Sequence, residues 1–260
     1  MFGQQSLRVV KIIIGNSALR NFAAFFSNAY PTASKVAVVL SGSGVYDGSE
    51  IHEASAMLVH LTRAGAQPLC YAPDVDQMHV VDHLKGSPAE GQTRNVLVES
   101  ARIARGAVQP LSALSAAAAD AVLFPGGFGA AKNLSDFAVS GAQFTVHPEV
   151  RRVLTEFHAS KKPIGLACIA PVLAAKVIPG CTLTLGASGP EAGDKWPHAG
   201  AVDNVRPLGV NLELKRVNEV CVDANNRLVT TPAFMYDGQF HEIFDGIGLL
   251  VTELLKLVRK

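Results

Sequence analysis

The sequence predicts an α/β fold in which helices cover both faces of a mainly parallel sheet. Apolar runs of strand length at residues 35–40, 119–124 and 164–167 contain few polar residues, which is typical of strands buried on both faces. Segments with the apolar spacing of helices lie between them, and the first strand, helix and second strand form a β-α-β unit. In open sheets of this kind, ligands bind at the carboxyl ends of the strands.

The first β-α-β unit begins with a buried strand at residues 35–40, which ends in a glycine-containing loop. The helix after this loop has apolar residues at i, i+3, i+4 and i+7 and ends at Gly65, a residue that suits a left-handed cap. We expect Asp47 or Ser49 to cap the amino end of this helix, because short polar side chains accept hydrogen bonds from its free N–H groups. Residues 68–72 form the next strand.

The middle of the chain is predicted to leave the sheet after the second strand, with one clear helix at 95–105, and to return as a third core strand at 119–124. This strand runs into Pro125-Gly126-Gly127-Phe128-Gly129, where glycines allow the backbone to approach whatever lies at the end of the strand. Helices are expected next at 130–137 and 148–160, with His147 at the start of the second.

Cys168 lies on a tight turn between the apolar strand 164–167 and a helix that begins near Pro171, a residue suited to a first helical turn. The free N–H groups and positive dipole of such a helix stabilise a thiolate, so a lowered pKa and a nucleophilic role are expected for Cys168. The alternative is that Cys168 is a small core residue, because cysteine is often buried as a hydrophobe.

The carboxyl-terminal part combines short strands with one long loop and a final helix. The expected elements are a strand at 182–185, a loop rich in Gly and Pro through 186–209 that holds Trp196 and His198, a hairpin of 219–223 with 228–231, and a helix at about 238–257.

Composition limits the classes of function. The chain has 260 residues, of which 48% are hydrophobic and 17% charged, and its net charge is +1. This balance favours one domain with a small-molecule ligand and excludes a basic surface for nucleic acid. The four cysteines are far apart, so they indicate neither a disulfide framework nor a metal site and imply a reducing compartment. Glycines at the first loop miss the dinucleotide-binding fingerprint by one position, so no cofactor is expected.

Residues 1–34 are predicted to be a mitochondrial transit peptide, with the domain at 35–260. The segment carries Arg8, Lys11 and Arg20 among apolar, Ser and Asn residues, and the first acidic residue of the chain is Asp47. The cations divide the apolar residues into runs too short to span a bilayer, so neither a secretory signal nor a membrane anchor is expected. An ordinary helical or disordered extension is the alternative.

Several separate motifs, in matching order, give the chain a family likeness. They are DGSEIHE at 47–53, RNVLVESARIARG at 94–106, FPGGFGAAKNL at 124–134 and the turn that carries Cys168. Over residues 35–255 the chain resembles the class I glutamine amidotransferase-like (DJ-1/PfpI) superfamily, and within it the mitochondrial ES1 and bacterial ElbB branch. The resemblance implies a flavodoxin-like three-layer sandwich with a nucleophile elbow, in a homodimer located in the mitochondrial matrix.

The resemblance also implies roles for individual residues. Cys168 would be the nucleophile, and Glu53, in the first helix, would donate a hydrogen bond to its thiolate and lower the pKa of the thiol. The backbone N–H groups of Gly127 and Ile169 would form an oxyanion hole. The alternative for Glu53 is a solvated carboxylate near a helix amino end.

The chain departs from the superfamily pattern at the histidine that acts as base. PfpI-like members carry this histidine directly after the cysteine, where this chain has Ile169. His198 is the only histidine that the predicted order of elements can bring to Cys168, and its alternative is an exposed loop residue. His79 and His83 have the i, i+4 spacing of zinc ligands on a helix, but without a third ligand a surface location is favoured and no metal is expected.

Two functions therefore remain open from the sequence. The first is a cysteine-dependent, cofactor-independent glyoxalase or deglycase that acts on an aldehyde such as methylglyoxal. The second is a non-catalytic protein on the same scaffold that binds a metabolite or senses oxidants through Cys168. Glutaminase activity is not expected, because expulsion of an amine requires a general acid that the chain does not place beside the cysteine.

Overall fold

Seven strands form the central sheet of the computed structural model, which describes residues 33–188 and 193–259. Residues 1–32, most of the predicted transit peptide, lie outside the described residues, so that assignment stays a prediction. The chain from Ser34 onward forms one compact unit. No helix among the described residues is both long and apolar enough to cross a membrane.

The strands of the central sheet follow the order β10-β11-β7-β6-β1-β2-β5, and all neighbours are parallel except the hairpin β10–β11. Two further pairs, β3–β4 and β8–β9, form small separate sheets. The strands are β1 Lys35–Val39, β2 Gln67–Ala72, β3 Val81–Asp82, β4 Ser87–Pro88, β5 Val108–Pro110, β6 Ala121–Phe124, β7 Ile164–Ala167, β8 Thr182–Leu183, β9 Asn211–Leu212, β10 Cys221–Asp223 and β11 Leu228–Thr231.

Helices cover both faces of the sheet, as predicted. They are α1 Ile51–Arg63, α2 Val96–Ile103, α3 Phe128–Lys132, α4 Phe137–Ser140, α5 Pro148–Ala159, α6 Pro171–Val177, α7 Gly200–Val205 and α8 Phe240–Val258. Alternate strand residues face opposite sides, so Val36 and Val38 pack with α1 and α8 while Ala37 and Val39 pack with α3 to α7. This arrangement is the predicted three-layer sandwich.

Several local predictions were wrong where long-range pairing decides the structure. Residues 108–110 form an edge strand beside β2, within a segment predicted to lie outside the sheet. The helix expected at 130–137 is two shorter helices, α3 and α4, because residues 133–136 leave the helix. The strand expected at 182–185 is only two residues long and pairs with β9, and the loop after it contains α7.

The cap of α1 also differs from the prediction. Glu50 is the capping residue, and its Oε2 accepts the N–H of Glu53 at 2.7 Å. Asp47 instead accepts the N–H of Val81, and Ser49 Oγ accepts the N–H of Ser41. Asp47 and Ser49 therefore stabilise neighbouring loop segments and do not cap α1.

Candidate active site

Cys168 occupies a strained turn at the carboxyl end of β7. Its φ is +59°, a left-handed conformation that an L-residue adopts only when its surroundings enforce it. The N–H of Cys168 donates to Thr231 O at 3.0 Å, which ties the turn to the end of the neighbouring β11. This is the geometry of a nucleophile elbow, in which the side chain projects from the edge of the sheet.

Two backbone N–H groups face the sulfur of Cys168. They belong to Gly127, after β6, and Ile169, after the cysteine itself, and both favour the thiolate. Gly127 has a φ of +90°, and a Cβ there would collide with the backbone of the segment before α1. The two predicted oxyanion donors therefore converge on one atom.

Glu53 lies in the first turn of α1 and is fully buried, with 0% exposure. Its Oε2 accepts the N–H of Gly126 at 2.7 Å and its Oε1 accepts the N–H of Phe234 at 3.2 Å. Its carboxyl group also lies beside the side chain of Cys168, close enough for each to shift the pKa of the other. The alternative of a solvated carboxylate is therefore wrong for this residue.

Burial shifts the titration of both side chains upward. The pKa of Glu53 rises to about 8, first because burial disfavours its charge and second because the carboxylate of Glu50 is close. The pKa of Cys168 is also raised well above its ordinary value, by burial and then by the charge of Glu53, against the opposing effect of the two N–H donors. The expected lowering of this pKa is wrong, because loss of hydration outweighs the backbone donors.

Cys168 lines a cavity of about 500 Å³ and is itself 7% exposed. The cavity lies at the carboxyl ends of the strands, between the loops after β1, β6, β7 and β11 and the segment around α7. Glu53 is not among the lining residues, so it contacts the sulfur from the protein side. The remaining lining residues include Val45, Glu50, Phe128, Ala131, Phe137, Val139, Pro197, His198, Asn204, Phe234 and Met235.

His198 reaches the cavity wall, where its ring packs edge-on against Phe128 with centroids 5.7 Å apart. Burial lowers its pKa, so the imidazole is neutral near pH 7. Within the described residues no histidine forms a hydrogen bond with Cys168. His198 thus lines the same cavity as the cysteine without a hydrogen bond to its sulfur.

Glu50 is the lining residue that the sequence reasoning missed. It is 6% exposed and lines the cavity, whereas Glu53, three residues later, is fully buried and does not line it. The i, i+3 spacing of two glutamates at a helix start was the available signal, because such residues lie on one face of a helix.

The other candidates lie elsewhere. His147 caps α5, as expected, with its Nδ1 accepting the N–H of Glu149. His79 and His83 flank the short strand β3 and are not on a helix, so their i, i+4 spacing does not place them on one helix face. Across residues 33–188 and 193–259, no group of three or more His, Cys, Asp or Glu side chains is arranged to hold a metal ion.

Comparison with known proteins identifies close relatives. No family model matches the chain. It is 59% identical over 238 residues to the mitochondrial ES1 protein homolog of Rattus norvegicus, covering 92% of this chain and 89% of the relative. It is also 59% identical over 228 residues to the mitochondrial glutamine amidotransferase-like class 1 domain-containing protein 3 of Homo sapiens, covering 88% and 85%.

Solved structures share the fold. An isoprenoid biosynthesis protein with an amidotransferase-like domain from Ehrlichia chaffeensis is 32% identical, with a TM-score of 0.77 over 86% of this chain and 99% of that one. Glyoxalase III from Candida albicans has a TM-score of 0.53 over 85% and 97%, at 12% identity. The second likeness shows the fold alone.

Proposed function

Because this chain belongs to the mitochondrial ES1 family of glutamine amidotransferase-like proteins, we propose that it is a cysteine-dependent, cofactor-independent glyoxalase or deglycase of the matrix. Its substrates are reactive dicarbonyls. The observation that carries the proposal is the neighbouring pair of Cys168 and the buried Glu53 at the end of a cavity, with two backbone N–H groups facing the sulfur.

The first step is addition of sulfur to an aldehyde. The thiol proton of Cys168 passes to the carboxylate of Glu53, and the sulfur forms a bond to the aldehyde carbon as the C=O π bond breaks. The new alkoxide takes this proton from Glu53 and becomes the hydroxyl group of a hemithioacetal. Glu53 suits this exchange because a pKa of about 8 lets it gain and lose a proton near neutral pH.

The second step moves hydrogen within the bound substrate. A proton leaves the carbon bonded to sulfur, and the neighbouring ketone oxygen gains a proton, which gives an enediol. The enediol is then reprotonated at the neighbouring carbon, while the hydroxyl on the sulfur-bearing carbon loses its proton and becomes C=O. The product is a 2-hydroxy thioester, in which one carbon has been oxidised and the other reduced, so no external oxidant takes part. Water then cleaves the C–S bond, releasing a 2-hydroxy acid and restoring the thiol.

The alternative function is a binding or redox-sensing protein in which Cys168 is oxidised reversibly and nothing is turned over. The raised pKa of Cys168 lowers the fraction of thiolate at neutral pH, which slows both nucleophilic attack and oxidation, so it supports binding without turnover more than redox sensing. The buried Glu53 favours catalysis, because a carboxyl group with a raised pKa beside the sulfur provides a path for its proton.

Lactate formation from methylglyoxal separates the two functions. We expect turnover by the wild type and loss of at least 100-fold in Cys168→Ala. Cys70→Ala is the matched control, because Cys70 is buried on β2 and does not line the cavity. Equal rates in wild type and Cys168→Ala would remove the cysteine from the reaction. Reversible oxidation of Cys168 by peroxide without lactate formation would favour the sensing function.

We also propose that the active form is a homodimer, as the resemblance to this superfamily implies. Light scattering coupled to gel filtration measures the mass of the chain directly. A mass of one chain at micromolar concentration would contradict the dimer and leave the proposed reaction unaffected.

A further inference from the structure

Resting on the proposed function, we infer that the cavity selects dicarbonyls that carry an uncharged apolar group larger than methyl, and that Glu50 excludes anionic ones. The inference rests on the size of the cavity, the chemistry of its walls and the sign of its charge. Each of these is independent of the reaction at Cys168.

The cavity is larger than the smallest dicarbonyls require. Its volume is about 500 Å³, within the range of pockets that enclose drug-sized ligands. Methylglyoxal occupies roughly 100 Å³, the share of three or four water molecules in the liquid. A substrate with an aromatic or branched aliphatic group would displace more of the remaining water.

The walls are predominantly apolar. Phe128 and Phe234 contribute aromatic rings, and Val45, Ala131, Pro197 and Met235 contribute aliphatic or thioether surface. Burial of an apolar substrate group against them is favourable in proportion to the area removed from water, at about 25 cal/mol per Å². Methylglyoxal can bury only one methyl group against this surface.

The charge of the cavity is negative. Of the described residues that line it, none is Lys or Arg, and the ionisable ones are Glu50, Cys168 and His198. Burial lowers the pKa of His198, so the imidazole supplies no positive charge near pH 7. Lys132 lies outside the lining and donates to Tyr46 O. An anionic substrate would therefore lose hydration without gaining a direct contact with an opposite charge in the lining.

Glu50 is held in place as the source of this charge. Its Oε2 accepts the N–H of Glu53 at 2.7 Å, and its Oε1 lies 2.9 Å from Nδ1 of His52. His52 is more than half exposed, with 54% of its side chain accessible, so water screens the electrostatic effect of its ring on the carboxylate of Glu50. The carboxylate thus stays at the cavity wall, where it repels a carboxylate or phosphate on a substrate.

The test compares phenylglyoxal with 4-carboxyphenylglyoxal, which have the same reactive end and differ by one charge. We expect wild-type kcat/KM, measured as formation of the 2-hydroxy acid product, to be at least tenfold higher for phenylglyoxal than for methylglyoxal. It should fall at least tenfold when the carboxylate is added. A preference for methylglyoxal, or equal turnover of the two aromatic substrates, would overturn the inference.

Two variants test whether the charge of Glu50 causes the discrimination against 4-carboxyphenylglyoxal. In Glu50→Gln an amide oxygen can still accept the N–H of Glu53, and we expect the discrimination against 4-carboxyphenylglyoxal to fall below threefold. In Asn204→Asp, at an exposed lining position, the added charge should increase that discrimination. An unchanged ratio in both variants would contradict the role of Glu50, and the second variant does not depend on the cap of α1.

A binding measurement separates this inference from the reaction itself. If the wild type turns over none of these aldehydes, the proposed glyoxalase activity fails. The selectivity is then tested by calorimetry with the unreactive pair acetophenone and 4-acetylbenzoate on Cys168→Ser. At least tenfold tighter binding of acetophenone supports the inference, and equal or reversed affinities overturn it.

Discussion

The carboxyl group of Glu53, at a helix start, lies beside the thiol of Cys168, at a strand end, in the interior of the protein, and each shifts the pKa of the other. Glu53 is fixed by the N–H groups of Gly126 and Phe234, so its carboxyl group cannot turn away from the sulfur. Burial raises the pKa of both groups above the values that they would have in water.

Alkylation of Cys168 should depend on the titration of Glu53. Because the pKa of Cys168 is raised well above its ordinary value, we expect the wild-type rate with iodoacetamide to keep rising with pH past pH 9. In Glu53→Gln the charge that raises the pKa of the thiol is gone, so the midpoint of the profile should move to lower pH. Peptide mass spectrometry after labelling measures both profiles, and identical midpoints would contradict coupling between the residues.

The free energy of unfolding should fall as pH rises between about 4.5 and 8. Glu53 has an ordinary pKa near 4.5 when unfolded and about 8 when folded, so in this window the native state holds one proton more than the unfolded state. The stabilisation from this proton is complete below pH 4.5 and is lost through pH 8, with a slope of up to about 1.4 kcal/mol per unit. Urea denaturation at several pH values should show a shallower slope for Glu53→Gln. Equal slopes would place the titration elsewhere.

Gly126→Ala should destabilise the protein. A Cβ there would lie 2.7 Å from Glu53 Oε2 and 2.9 Å from Cys168 Sγ, both closer than atoms can pack. We expect a loss of about 1–3 kcal/mol in urea denaturation, as for other overpacked sites. Gly200→Ala is the matched control, because a Cβ at that helical position meets nothing within 4 Å and should be neutral or stabilising.

His198→Gln should change turnover by less than about fivefold and leave the midpoint of the pH profile unchanged. The reason is that His198 packs against Phe128 and does not hydrogen-bond the sulfur, so its removal alters the wall and not the proton path. A loss of 100-fold or more, the range typical of a general base, would show that His198 moves onto the cysteine when substrate is bound.

The sequence by itself determined the order of the main elements, the turn at Cys168 and the family. Apolar runs and helical spacing are local patterns, and β1, β6, β7, α5 and α8 follow them within one or two residues. The glycines after β6 indicate a backbone conformation that other residues disfavour, so this motif can also be recognised from the sequence.

Only the tertiary structure decided the chemistry of the site. The edge strand β5 and the pairing of β8 with β9 depend on partners far along the chain, for which two- or three-residue strands give no local signal. The sequence predicted a lowered pKa for Cys168, and the fold raised it, because α1 and the end of β11 bury Glu53 and the sulfur together. Desolvation is a property of everything packed around a group, and spacing in the sequence does not encode it.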